Sequence, residues 1–234
     1  MKRKYGCRRI FRILIGLLAV VLLTGCASHE DARTRLRESD GHYKEGVSFL
    51  ETDQQRAFVA FQKAIALNPD NFDAHYALGS IYFKRKEFIE AEREFRVAAD
   101  LNPNDGETLN YLGRSLMLQG RRPEAIEVLK KVTTLPLYGK PDIAFTDLGS
   151  VLESEGDIAG AVEAYKSALR TDPPNIPRSF IYLWLGRLYM KQGDIPKAQS
   201  ALSQAKALDP DGTVGTEAAR LIHRLDDFHR REVK

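Results

Sequence analysis

Residues 68–103 read NPDNFDAHYALGSIYFKRKEFIEAEREFRVAADLNP, and the spacing inside this stretch returns both before and after it. Two helical patterns lie within it. Ala77, Leu78, Ile81 and Tyr82 share one face of the first, and Ala91, Phe95, Ala98 and Ala99 share one face of the second. Asn-Pro at each end marks a turn, because proline cannot continue a helix and biases the residue before it away from helical angles.

Working outward, the first-helix glycines are Gly46, Gly79, Gly113, Gly149 and Gly186, at steps of 33, 34, 36 and 37 residues. Ala57, Ala91, Ala125, Ala161 and Ala198 mark the second helices. One turn further stand Phe61, Phe95, Leu129, Tyr165 and Leu202, then Ala64, Ala98, Val132, Ala168 and Ala205. Pro69, Pro103, Pro173 and Pro210 close four of the five units. A small residue at a fixed place lets two helix backbones approach, and the bulky residue one turn on fills the space beyond the contact. The chain is therefore a repeat of helix, turn, helix, turn.

On these marks the array resembles the tetratricopeptide repeat. Leu78-Gly79, Tyr82, Ala91, Phe95, Ala98 and Pro103 match that pattern most fully, followed by Leu112-Gly113, Leu148-Gly149 and Leu185-Gly186. The first unit is the most degenerate, since Glu45 precedes its glycine. The resemblance implies an all-α fold: a right-handed superhelical solenoid of about five helix-turn-helix repeats at 39–71, 72–105, 106–141, 142–178 and 179–211. The third and fourth are longer than the others, with extra residues expected in the connections at Thr133–Pro141 and Pro173–Arg178, where exposed backbone tolerates insertion. In 212–234, Val214, Ala218, Leu221, Ile222, Leu225 and Phe228 make an apolar stripe with Arg220, Arg224, Asp226, Arg230 and Arg231 elsewhere on the wheel. A solenoid exposes the apolar face of its last repeat, so this segment is expected to be a capping helix; docking onto another protein is the competing reading.

The front end carries a second message. Lys2, Arg3, Lys4, Arg8, Arg9 and Arg12 precede an apolar run from Ile13 to Leu23, the build of an export signal and short beside the ~20 residues of a spanning helix. Leu23-Thr24-Gly25-Cys26 resembles the bacterial lipobox, which implies cleavage after residue 25 and a lipidated, N-terminal Cys26. Ala27 and Ser28 in place of aspartate resemble the outer-membrane address of Gram-negative lipoproteins. The expectation is a signal peptide over 1–25, a lipidated tether over 26–38, and a periplasm-facing protein at the bacterial outer membrane. Arg8-Arg9-Ile10-Phe11 partly resembles a twin-arginine motif, which stands as a minor alternative to general secretion.

Removing the signal reverses the charge. The six cations before Cys26 leave 29 of the 35 Lys and Arg against all 32 acids, so a net +3 becomes about −3 and nucleic-acid binding loses its support. Cys7 leaves with the signal and Cys26 carries lipid, so no internal disulfide is available and helix packing alone holds the fold. His29, His42, His75, His223 and His229 have no metal-ligand spacing, and there is no phosphate-binding glycine loop and no Gly-x-Ser-x-Gly elbow. No cofactor is expected. Glu87, Glu90, Glu92 and Glu94 alternate with Lys and Arg as solvated helix faces do. The reading is a binding protein, not an enzyme.

The tetratricopeptide resemblance also implies where binding occurs, since first helices of that family line a concave wall. Its inward positions fall on Tyr43, Val47, Leu50, Tyr76, Ser80, Phe83, Asn110, Arg114, Met117, Leu183, Arg187 and Met190. That mixture of aromatics, aliphatics and arginine suits a groove for an amphipathic helix or an extended peptide, with packing between first helices as the competing explanation. Ser80, Arg114, Ser150 and Arg187 occupy the row that would hold the lysines and asparagines of a carboxylate clamp, so that clamp is not expected. A lipobox followed by such repeats, together with Thr134-Leu135-Pro136-Leu137-Tyr138, resembles the type IV pilus biogenesis and stability lipoproteins. This implies a partner among the secretin or pilus components, although five repeats stand where that group has six. Adaptors for cell-wall hydrolases or proteases, and self-association, are the alternatives.

Overall fold

The structure, a computed structural model, describes residues 31–232. Among the described residues every regular element is an α-helix, and none is long and apolar enough to cross a membrane. The described residues divide into two compact units, one ending at Ile81 and the other beginning at Tyr82, with the boundary inside α3 (Phe72–Lys84).

The first unit contains α1 (31–49), α2 (Gln54–Leu67) and most of α3. Residues 31–38, expected as tether, are helical: nothing in their sequence breaks a helix, and no proline or glycine separates them from the first repeat. Asp53 starts α2 by accepting the Arg56 N–H at 3.0 Å. Phe61 is fully buried and lies 5.8 Å from the Tyr43 ring. A polar knot closes the unit. Ser39 Oγ donates to the Ala64 carbonyl at 2.8 Å and accepts from Asn71 Nδ2 at 2.9 Å, while Asn71 Oδ1 takes the Ala74 N–H and caps α3. His75 is a packed residue, 6% exposed, with Nε2 donating to the Pro69 carbonyl.

The second unit runs from the last turn of α3 through α4 (Phe88–Leu101), α5 (Gly106–Leu118), α6 (Arg122–Thr133), α7 (Pro141–Ser154), α8 (Ile158–Leu169), α9 (Arg178–Gln192), α10 (Ile195–Leu208) and α11 (Thr213–Glu232). Each helix packs on its sequence neighbours, and α5 also touches α7. The spacing of small and bulky residues has a direct cause. A Cβ on Gly113 would stand 2.7 Å from Leu129, and one on Gly149 would stand 2.8 Å from Tyr165, so the larger side chain occupies the place that glycine vacates. First and second helices join through one residue at positive φ: Lys86, Gly120, Gly156 and Gly193, at 64°, 80°, 84° and 74°. Behind α4, Glu92 is 7% exposed and receives Arg96, Arg121 and Gln119 at 2.7, 2.7 and 2.8 Å. Burial acts to raise this carboxyl, but those three donors outweigh it and hold it below the usual carboxylate range.

The long connections are structured. Tyr138 packs against the buried cluster of Leu109, Val132 and Ala144, whereas Leu137 is 96% exposed. Between α8 and α9, buried Asp142 on α7 accepts Asn175 N–H at 2.6 Å, Asn175 Nδ2 at 2.8 Å and Ile176 N–H at 2.8 Å. This carboxylate ties a repeat insertion to the start of a helix.

Helix α11 is the cap. It packs on α10 and α9 and buries Val214, Ala218, Leu221 and Leu225; the Phe228, Arg230 and Arg231 side chains lie outside the described residues. Glu217 on α11 bonds Arg220 at 2.7 Å and Arg187 of α9 at 3.2 Å. Arg220 first, and Arg187 after it against the opposing effect of burial, lower its carboxyl to about 2. A depressed carboxylate stabilises the fold fully above its ordinary value of 4.5 and loses that contribution as pH falls through its folded value. The melting-temperature advantage of the native chain over Glu217→Gln is therefore expected to be full at pH 6 and to vanish near pH 2. A difference that does not change over that range would show that these ion pairs leave the cap's stability untouched.

Candidate functional site

A hollow of about 470 Å³ opens among α5, α7, α8 and α9, all within the second unit. Its apolar part comes from Trp184, Tyr165, Ile143 and Ile176. Trp184 stacks on Tyr165 at 5.4 Å between ring centroids, and its other neighbour is Phe180 at 6.1 Å. Ile176 belongs to the α8–α9 connection and stands where Asp142 fixes the backbone. Burial, with smaller contributions from Glu153 and Asp147, pushes the Tyr165 hydroxyl up in pKa, so this residue stays neutral.

The polar part is Arg114, Asp147, Arg187, Glu153, Ser150 and Thr146. The Arg114 guanidinium lies over Phe83 at 4.9 Å and Tyr111 at 5.4 Å, and those two rings meet edge-on at 5.3 Å. Tyr111 in turn stacks on fully buried Phe95. The cation is thereby held by aromatic faces and not by a long flexible stem alone. Across from it, Asp147 Oδ2 accepts Asn110 Nδ2 at 3.0 Å and lies 3.8 Å from Arg114 Nε. Burial raises the Asp147 carboxyl above its ordinary value, with Arg114 and Asn110 partly opposing. The remaining rim charges have their own partners: Arg187 pairs with Glu217 and Glu153 pairs with Lys191. Among the described residues no group of three His, Cys, Asp or Glu is placed to hold a metal ion.

The twelve residues expected on the wall divide between the two units. In the first, Val47 is 45% exposed, Tyr43 and Leu50 are half-buried, Tyr76 stacks on Phe72 at 6.5 Å, and Ser80 Oγ donates to the Tyr76 carbonyl of its own helix. In the second, Arg114 and Arg187 line the hollow and Phe83 sits beneath Arg114, while Met117 and Met190 are half-buried. Two expectations are corrected. Asn110 is 1% exposed and Leu183 is 5% exposed, so neither lines an open wall. Asn110 is covered because its amide reaches sideways to Asp147 of the next first helix. One residue further along, Tyr111 supports Arg114, while Asp147 and Trp184, likewise two places before a first-helix glycine, line the hollow. Sequence reasoning missed Asp147, Trp184 and Tyr165. The signal was present at those places, with an acid and the chain's single tryptophan two residues before a repeat glycine. Cys26 and the signal segment lie outside the described residues.

Models of the tetratricopeptide repeat match residues 53–86, 72–105, 111–176 and 152–225. Among curated proteins, the type IV pilus assembly protein PilF of Pseudomonas aeruginosa is 30% identical over 164 residues, covering 67% of this chain and 65% of that one. Cellulose synthase operon protein C of Pseudomonas fluorescens is 29% identical over 155 residues, covering 64% of this chain and 12% of that one. The chain thus spans less than two thirds of the length of these relatives. The solved structure of Pseudomonas aeruginosa pilF superposes with a TM-score of 0.66 at 23% identity, covering 82% of this chain and 88% of that one. PilW, described as a widely conserved type IV pilus biogenesis factor, gives 0.66 at 19% identity, with coverages of 83% and 91%. At these identities the structural likeness speaks for the fold.

Proposed function

The chain is an array of tetratricopeptide repeats, and from that premise we propose that it is a non-enzymatic, protein-binding scaffold whose hollow takes a segment of a type IV pilus or secretin component. The observation that carries this reading is the hollow itself: an aromatic floor beside a guanidinium fixed on two rings is the composition of an interface hot spot. The similarity to a pilus assembly protein supports the choice of machine. In this reading Cys26 is lipidated and holds the repeats at the periplasmic face of the outer membrane, because residues 23–26 have the lipobox pattern.

A photo-crosslinking residue placed at Ser150, on the rim, tests the partner in living cells. The expected product joins the chain to a secretin or pilus subunit, and deletion of the gene is expected to reduce secretin multimers and surface pili. Capture of a murein hydrolase, with pili and multimers unchanged, would refute the pilus assignment. Cys26→Ser is expected to move the protein from the outer-membrane fraction to the soluble periplasm.

A further inference from the structure

We infer that the hollow selects a protein segment presenting one bulky apolar side chain between uncharged neighbours, and that Asp147 is the residue that rejects acidic segments. This rests on the hollow being the binding site and adds the chemistry of its ligand.

The argument starts from charge already matched inside the wall. Arg114 would be the natural anchor for an acidic ligand, since its guanidinium is held in place over Phe83 and Tyr111. Asp147 already stands 3.8 Å from its Nε, with only 20% of the carboxylate side chain exposed. A ligand carboxylate approaching Arg114 would meet Asp147 in a confined, partly dry space, where like charges repel strongly. The second cation, Arg187, bonds Glu217 at 3.2 Å, a carboxylate it shares with Arg220. At the Arg114–Asp147 pair the lining therefore offers no unmatched positive charge to an acid and, with Glu153 bound to Lys191, no unmatched negative charge to a base. What it does offer is the face of Trp184 beside Tyr165 and Ile176 for an apolar side chain. Both contacts to Asp147 fall on Oδ2, which leaves Oδ1 to accept an N–H of an incoming backbone. An uncharged extended segment uses all of these groups and disturbs none of the pairs.

The test uses the full-length protein and a displayed library of heptapeptides, followed by titration of one selected peptide and of a twin with aspartate on both sides of its apolar residue. Trp184 is the only tryptophan in the chain, so its emission reports occupancy directly. Selected peptides are expected to carry one Phe, Tyr or Leu without adjacent acids and to shift Trp184 emission. The twin is expected to bind about tenfold or more weakly, the size of a like-charge contact in an interface. Asp147→Asn, which can still accept from Asn110, is expected to bring the two peptides to within about twofold of each other. Arg114→Gln, which removes the cation paired with Asp147, is expected to widen the gap. An unchanged ratio in Asp147→Asn, with emission still responding, would overturn the role given to Asp147 while leaving the hollow as the binding site. Peptides that bind without moving Trp184 emission would sink the hollow reading itself. A concentration-dependent emission shift without peptide, abolished by Leu137→Asp, would assign the hollow to a second copy and overturn the proposal.

Discussion

Phe95→Ala is expected to lower the unfolding free energy by about 3–5 kcal/mol, the usual loss for emptying a large buried aromatic site. Phe95 is 0% exposed and stacks on Tyr111 at 5.4 Å with an interplanar angle of 17°. Its removal leaves a void between α4 and α5 that neither helix can close without breaking the repeat register. The effect should also reach the hollow, because Tyr111 is one of the two rings under Arg114. Denaturant unfolding of both proteins checks it, with the midpoint falling and the slope unchanged. Leu101→Ala, on the same helix but 37% exposed, is the control and should change little. A loss below about 1 kcal/mol at Phe95 would mean the stack is not a support of this part of the array.

Trp184→Ala is expected to weaken partner binding by about 30-fold or more, the scale of a tryptophan hot spot. The ring is partly exposed, so some of its surface is still available for a ligand to cover, whereas Tyr165 behind it is only 3% exposed. Stability should fall by less than in Phe95→Ala. The measurement is the yield of the Ser150 crosslink together with the melting temperature. Full crosslinking in a folded Trp184→Ala protein would show that Trp184 is not the anchor of the partner.

The repeats were legible because the contact that defines each one is local. Gly113 meets Leu129, Gly149 meets Tyr165 and Gly186 meets Leu202, each pair sixteen residues apart, so these copies of the contact leave the same mark in the chain, and Gly46 with Phe61 is one residue shorter. The cap was legible for a related reason: Val214, Ala218, Leu221 and Leu225 fall at helical spacing beyond the last repeat. The turn glycines at 120, 156 and 193 were a further periodic signal, hidden by Lys86 taking the same left-handed place in an earlier repeat. The site was harder to read. Its composition depends on contacts between first helices of neighbouring repeats, such as Asn110 with Asp147, and those contacts differ from one repeat to the next. A family position says that a residue lies on the inner side, but not whether the next helix covers it, and this is why Asn110 and Leu183 were placed on an open wall. The helical character of 31–38 was missed because its exposed residues give no apolar period to detect.

Part of the hollow's wall is not made by a repeat at all. Ile176 comes from the extra residues between α8 and α9, and the bonds from Asp142 give that insertion a fixed seat. The helices can keep their common spacing while ligand preference is rewritten in a short graft between them. Trimming that graft to the length of an ordinary repeat would take away both the Ile176 side of the hollow and the donors that hold buried Asp142.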